Sequence, residues 1–173
     1  MQKISYLPAE LIAKIANGSY RDAYGTLQKA ITISKDKKLD YEEISKALGL
    51  PKIDLIKQFI EGYVFNKPEE SLQALSLIRK EGSDPQLFFS AVCDLIRMSL
   101  VSRIAKESIK KLFPYAGHDE IELADDIQKR AGEQLSSLIL IDFLEFASLS
   151  NSLSDPFTAY EALVLKKVEN NNL

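Results

Sequence analysis

The sequence predicts an all-α protein, a helical bundle preceded by a short helical segment. Apolar residues recur at spacings of three and four over almost the whole chain, and strand-like alternation persists nowhere. The intervals between these segments carry the Pro, Gly, Asp, Asn and Ser residues that start and stop helices. With 173 residues, of which 46% are apolar and 27% charged, the chain can form one good core or two small ones.

The net charge of −3 and the single cysteine narrow the function classes. The chain as a whole has no electrostatic footprint for phosphate backbones, so we do not expect nonspecific DNA binding by this chain alone. Cys93 excludes an internal disulfide and suits a reducing cytoplasm. The sequence does not open with a signal peptide, and its closest approach to a membrane span, residues 138–144, is short and interrupted by Asp142. We therefore expect a cytoplasmic protein without a membrane partner.

Two helices are predicted in the first part of the chain. The first carries Pro8 in its first turn, where the missing amide costs nothing, and ends at Asn17-Gly18, because Gly accepts the left-handed conformation that closes a helix. Ser19 is predicted to start the second by accepting a hydrogen bond from the amide of Asp22. This second helix is expected to bury the stripe Tyr20, Ala23, Tyr24, Leu27, Ala30 and Ile31.

Arg21 is the unusual residue of this corner. A cation in the first turn opposes the helix dipole, so an anion nearby would explain it better. One explanation is a surface salt bridge with Asp22 or Glu10, worth under about 1 kcal/mol. The spacing alone does not decide between that salt bridge and another anion.

The middle of the chain alternates short loops and helices. The lysines of the polar loop at 35–38 fit solvated surface better than a nucleic-acid path. A capping box at 40–43 is predicted to open a short helix that ends at Gly49. Pro51 is predicted to begin a helix with the apolar stripe Ile53, Ile56, Phe59, Ile60 and Tyr63.

Residues 43–59 can also be interpreted as a helix-turn-helix. A recognition helix presents polar, base-reading groups at its N-terminus. Here Ile53, Asp54 and Leu55 offer apolar bulk and an anion instead, which makes DNA reading the weaker interpretation.

Five further helices complete the predicted bundle. One starts at Pro68 and stops at Gly82. Asp84-Pro85 starts the longest helix, which runs from about 86 towards 111 and is expected to be buried on more than one side. Cys93 lies in this helix and is expected to be a packed thiol. After a loop at 113–118, where His118 is expected on the surface, an acidic helix start turns basic at its end and matches the dipole. Another helix spans 135–153, and Asp155-Pro156 starts the last one.

The segment 135–153 is unusually apolar for an exposed helix, so it is either a core helix or a subunit interface. Our interface candidates within it are Leu138, Ile139, Ile141, Phe143 and Phe146.

The sequence lacks the patterns that carry enzymatic chemistry. It has no Gly-x-x-x-x-Gly-Lys-Ser/Thr phosphate loop, no His/Cys metal spacing, no Gly-x-Ser-x-Gly elbow and no credible Cys–His or Ser–His pair. We therefore predict no catalytic residue, metal or cofactor for this chain, and no complete enzyme.

Two motifs resemble a known family, the gamma/tau subunit of bacterial DNA polymerase III, which is the ATPase of the sliding-clamp loader. The first resembles the sensor-2 helix of its lid and consists of Gly18-Ser19-Tyr20-Arg21-Asp22-Ala23, then Leu27, Gln28, Ala30 and Ile31. The second resembles the end of its collar and consists of Asp155-Pro156-Phe157-x-x-Tyr160-Glu161-Ala162-Leu163. The resemblance covers nearly the whole chain.

The resemblance implies a domain organisation and one binding residue. Residues 1–50 would be the end of the AAA+ lid, 51–169 the collar or oligomerisation domain, and 170–173 a disordered tail. Arg21, positioned by Gly18, Ser19 and Asp22, would reach the nucleotide phosphates in the full-length parent.

ATP and Mg would then belong to an AAA+ domain upstream of this chain, which is expected to begin inside its parent. The implied function is to support ATP-dependent loading of the sliding clamp in DNA replication, as part of the polymerase III holoenzyme. The implied partners are other gamma/tau copies, delta and delta prime, with the sliding clamp and primed DNA reached only through the assembled complex. Two alternatives stay open: a helix-turn-helix DNA-binding regulator, and a stand-alone helical adaptor.

Overall fold

A computed structural model describes residues 8–16, 18–33, 45–46 and 48–171, and every regular element among them is helical. The prediction of an all-α protein is confirmed. The chain folds as two compact units, Met1–Leu50 and Pro51–Leu173. The predicted lid and collar segments also meet after residue 50, and their identity as lid and collar stays a prediction.

The first unit contains helices α1 (Pro8–Ala16) and α2 (Tyr20–Ile33). Its small core holds the buried residues Leu11 and Ala30, with partly buried apolar neighbours at Ile15, Leu48 and Leu50. The predicted stop at Gly49 is confirmed by two bonds to the preceding turn, Gly49 N–H to Lys46 C=O at 3.2 Å and Leu50 N–H to Ser45 C=O at 2.8 Å. The predicted lysine loop at 35–38 and capping box at 40–43 lie outside the described residues.

The predicted stripe of α2 is wrong at three positions. Tyr20, Tyr24 and Ile31 are exposed, Tyr20 to 94%. The inward face consists of the buried Ala30 and the half-buried Ala23 and Leu27, spaced four and three residues apart. The exposed stripe and the inward stripe are neighbours on the surface of α2. The stripe with the smaller side chains is the one that packs against the core of the first unit.

The second unit contains seven α-helices among the described residues. They are α3 (Ile53–Val64), α4 (Pro68–Lys80), α5 (Pro85–Ala105), α6 (Ile109–Leu112), α7 (His118–Ala131), α8 (Ser137–Ser150) and α9 (Phe157–Asn171). Two 3-10 turns, Lys106–Ser108 and Gly132–Gln134, follow α5 and α7. The main packing pairs are α3 with α4, α5 with α7, α8 with α9, and α4 with α9. Helix α9 continues to Asn171, two residues into the segment predicted as a tail.

Three of the predicted helix starts rest on Pro or Asp. Pro68 is the first residue of α4, and Asp84 caps α5 by accepting bonds from the amides of Gln86 and Leu87 at 2.8 and 3.0 Å. Asp155 caps α9 by accepting from the amide of Phe157 at 3.0 Å. Helix α3, in contrast, begins at Ile53 rather than Pro51, and Ile53 is exposed in its first turn although it was predicted in the apolar stripe.

The longest helix ends earlier than predicted. Helix α5 stops at Ala105, whose backbone turns to φ −152° and ψ 54°, so the predicted continuation towards residue 111 is wrong. The break lets the chain fold back, so that Ile109 and Phe113 are buried in the unit's core and the Arg97 guanidinium lies 4.9 Å from the Phe113 ring centroid. Ile104, just before the break, is 79% exposed.

An aromatic cluster forms the centre of the second unit. Phe143 of α8 contacts Phe59 and Tyr63 of α3 edge-on, with ring centroids 5.9 and 4.9 Å apart. Phe89 of α5 stacks on Tyr160 of α9 at 4.6 Å. Four helices are therefore joined through one cluster, and such aromatic pairs add about 0.5–1.5 kcal/mol each beyond their buried area.

Candidate functional site

The sensor-2-like corner has the local structure that its sequence predicts. Gly18 has φ 85°, a left-handed conformation that favours glycine, and the amide of Ser19 donates to the carbonyl of Ala16 at 2.8 Å. The amide of Asp22 donates to the Ser19 hydroxyl at 3.3 Å, which is the predicted capping bond. Gly18, Ser19 and Asp22 thus fix where α2 begins, and Arg21 lies in its first turn.

The Arg21 side chain is exposed, and none of the residues that the structure describes forms an ion pair with it. The proposed salt bridge with Asp22 is therefore not formed, while the side chain of Glu10 lies outside the described part of the chain. The positive end of the α2 dipole and the guanidinium are at the same place, so this corner can accept an anion from outside the described chain.

Of the five interface candidates of α8, two are buried, two are exposed and one is half-buried. Phe143 is fully buried and Ile139 is 6% exposed, so both belong to the unit's own core. Leu138 and Ile141 are 68% and 49% exposed. Phe146 is half-buried, and the Lys166 ammonium lies 5.5 Å from its ring centroid.

Leu144 and Leu149 extend the exposed group, with 51% and 47% of their surface accessible. At 3.6 residues per turn, all four exposed aliphatic residues lie on the half of α8 that faces away from Ile139 and Phe143. They are Leu138, Ile141, Leu144 and Leu149. Together with the exposed Glu145 they form what we call the outer face of α8. Leu144 and Leu149 were not among the predicted candidates, although their angular distance from Phe143 is the signal that identifies them.

An ion pair marks the border between this outer face and α9. The Lys166 ammonium lies 2.7 Å from an Asp142 carboxylate oxygen, and this hydrogen bond raises the lysine's pKa. The nearby charge of Glu145, which is exposed, contributes to the same rise of the Lys166 pKa.

The closing motif has a structural role within the second unit. Arg79 of α4 lies 2.9 Å from a carboxylate oxygen of Asp155 and 3.0 Å from one of Glu161, and its guanidinium lies 5.2 Å from the Phe157 ring centroid. The Tyr160 hydroxyl donates to the carbonyl of Pro85 at 3.3 Å. The motif therefore attaches the start of α9 to α4 and α5.

The remaining residues considered for chemistry have structural environments. Cys93 is buried as predicted, and burial, with the nearby charge of Asp94, raises the pKa of its thiol to about 12. His118 is exposed as predicted, and its Nε2 lies 3.5 Å from a Glu122 carboxylate oxygen. No group of three or more His, Cys, Asp or Glu residues suited to a metal ion occurs in the described ranges.

No helix in the described part of the chain has the length and apolar character needed to cross a bilayer. No protein-family model matches the sequence, and no match was found among curated proteins. The functional conclusion therefore depends on the residues and surfaces described above.

Proposed function

We propose that the second unit is an oligomerisation domain, the collar of a bacterial clamp-loader gamma/tau subunit, and that the first unit is the end of its AAA+ lid. The observation that carries this proposal is the outer face of α8, with four large aliphatic side chains exposed by about half or more. Exposed apolar surface of this kind on a folded unit marks a protein–protein contact. The partner in this proposal is a neighbouring clamp-loader subunit.

The packing of α8 supports the same proposal, because the residues that bury it in its own unit lie on the opposite side of the helix from the outer face. Ile139 and Phe143 are buried in the unit's core, and Leu140, Phe146 and Ala147 pack against it. The four aliphatic residues of the outer face then add little to the unit's stability, while their burial against a neighbour would contribute about 25 cal/mol per Å² of apolar surface.

In this proposal the first unit supplies one residue to the parent's nucleotide site. The exposed Arg21 in the first turn of α2 fits a contact with a phosphate group, because guanidinium binds phosphate oxygens bidentately. ATP and Mg would be bound by the upstream AAA+ domain, since this sequence has no phosphate loop. Arg21 would hold the phosphates and stabilise negative charge developed there.

The helix-turn-helix alternative has less support. The boundary between the two units falls after Leu50, inside the segment 43–59, so its two helices belong to different units. In α3, the would-be recognition helix, Ile56, Phe59 and Ile60 are buried in the core of the second unit. A salt-dependent affinity of the chain for duplex DNA would favour this alternative.

Co-purification tests the collar assignment. The chain, tagged and co-expressed with delta and delta prime from the same organism, should retain both subunits, and Leu138→Asp should lose them with an unchanged melting temperature. Leu77→Asp, at an exposed leucine of α4, is the matched control and should retain them. If the wild-type chain retains neither subunit, the collar assignment is wrong and the stand-alone adaptor is favoured.

Clamp loading tests the lid assignment separately. Arg21→Ala in the full-length parent should leave the melting temperature and assembly unchanged and slow ATP-driven loading of the clamp, because it removes an exposed cation rather than a core group. The isolated chain should show no ATP binding by titration calorimetry in the micromolar range. Loading at the wild-type rate would refute the sensor-2 role of Arg21.

A further inference from the structure

We draw no further inference here: the strongest candidate, the exposed stripe that Tyr20, Tyr24 and Ile31 form on α2 in the first unit, is an unpartnered helix face, and nothing in the described part of the chain shows what covers it.

Discussion

A scan of α8 with aspartate tests which residues fold the unit and which serve the proposed contact with a neighbouring subunit. The scan replaces Leu138, Ile139, Ile141, Phe143 and Phe146 one at a time. Phe143 is fully buried and touches aromatic rings on both α3 and α5. Its replacement removes these contacts and leaves an unpaired carboxylate in an apolar site.

The expected magnitudes differ enough to be measured. Losing a buried Phe side chain costs about 3–5 kcal/mol, and the buried carboxylate adds to that. At about 3–5 °C per kcal/mol for a domain of this size, Phe143→Asp should lower the melting temperature by ~15 °C or more. Ile139→Asp should behave similarly, while Leu138→Asp and Ile141→Asp, at half-exposed or more exposed sites, should cost under about 1 kcal/mol.

The assays are thermal unfolding by circular dichroism and retention of delta and delta prime. We expect Leu138→Asp and Ile141→Asp to melt like the wild type and lose the partners. Phe143→Asp and Ile139→Asp should melt at a much lower temperature. Phe146→Asp should fall between the groups, because Phe146 is half-buried beside Lys166. If every variant that loses its partners is also unfolded, α8 is only a core helix and the reasoning about its outer face fails.

Three further predictions concern the second unit. Gly62→Ala should destabilise the second unit by about 2 kcal/mol in urea unfolding, because the added Cβ would lie 2.5 Å from the Ser71 hydroxyl oxygen and 2.7 Å from the Ser71 amide nitrogen. Gly25→Ala in α2 is the control and should not destabilise the chain, because its added Cβ would have nothing within 4 Å. Equal stability of the two variants would refute the close approach at Gly62. Cys93 should resist thiol reagents at neutral pH until the protein unfolds, because burial raises its thiol pKa to about 12, and rapid labelling of the folded chain would contradict its burial. Asp125 accepts hydrogen bonds from two lysines, which lower its pKa. Its contribution to stability should therefore be complete above the unfolded pKa of about 3.9 and disappear as the pH falls through the folded pKa. The difference in free energy of unfolding between wild type and Asp125→Asn should shrink in acid, and a difference independent of pH would exclude this cause.

The helix boundaries that a single capping residue determines were the most predictable feature. Asp84 and Asp155 are capping groups whose effect is local, and Gly49 ends its helix through bonds to the preceding turn. The break at Ala105 was not predictable in this way, since no Gly or Pro stands there. It depends on where Ile109 and Phe113 pack, which is a property of the bundle rather than of the local sequence.

Which face of a helix is buried was less predictable for the same reason. Helix α8 is apolar nearly all round, so its sequence cannot tell Phe143 from Ile141, and the aromatic partners on α3 and α5 decide it. In α2 two apolar stripes lie side by side, and the choice between Tyr20 and Ala23 depends on the size of the core opposite them. The candidate interface could be located on one helix from the sequence, but its residues could be separated from the core only with the neighbouring helices in view.

The structural role of the closing motif changes what the family resemblance can support. Asp155, Phe157 and Glu161 all contact Arg79, so this motif is explained by the attachment of α9 to α4. These contacts attach the last helix whatever the bundle binds. The specific content of the clamp-loader proposal therefore lies in the exposed Arg21 and the outer face of α8, whose side chains have no such explanation within the described fold. That is why the decisive experiments change those surfaces rather than the motif with the longer sequence match.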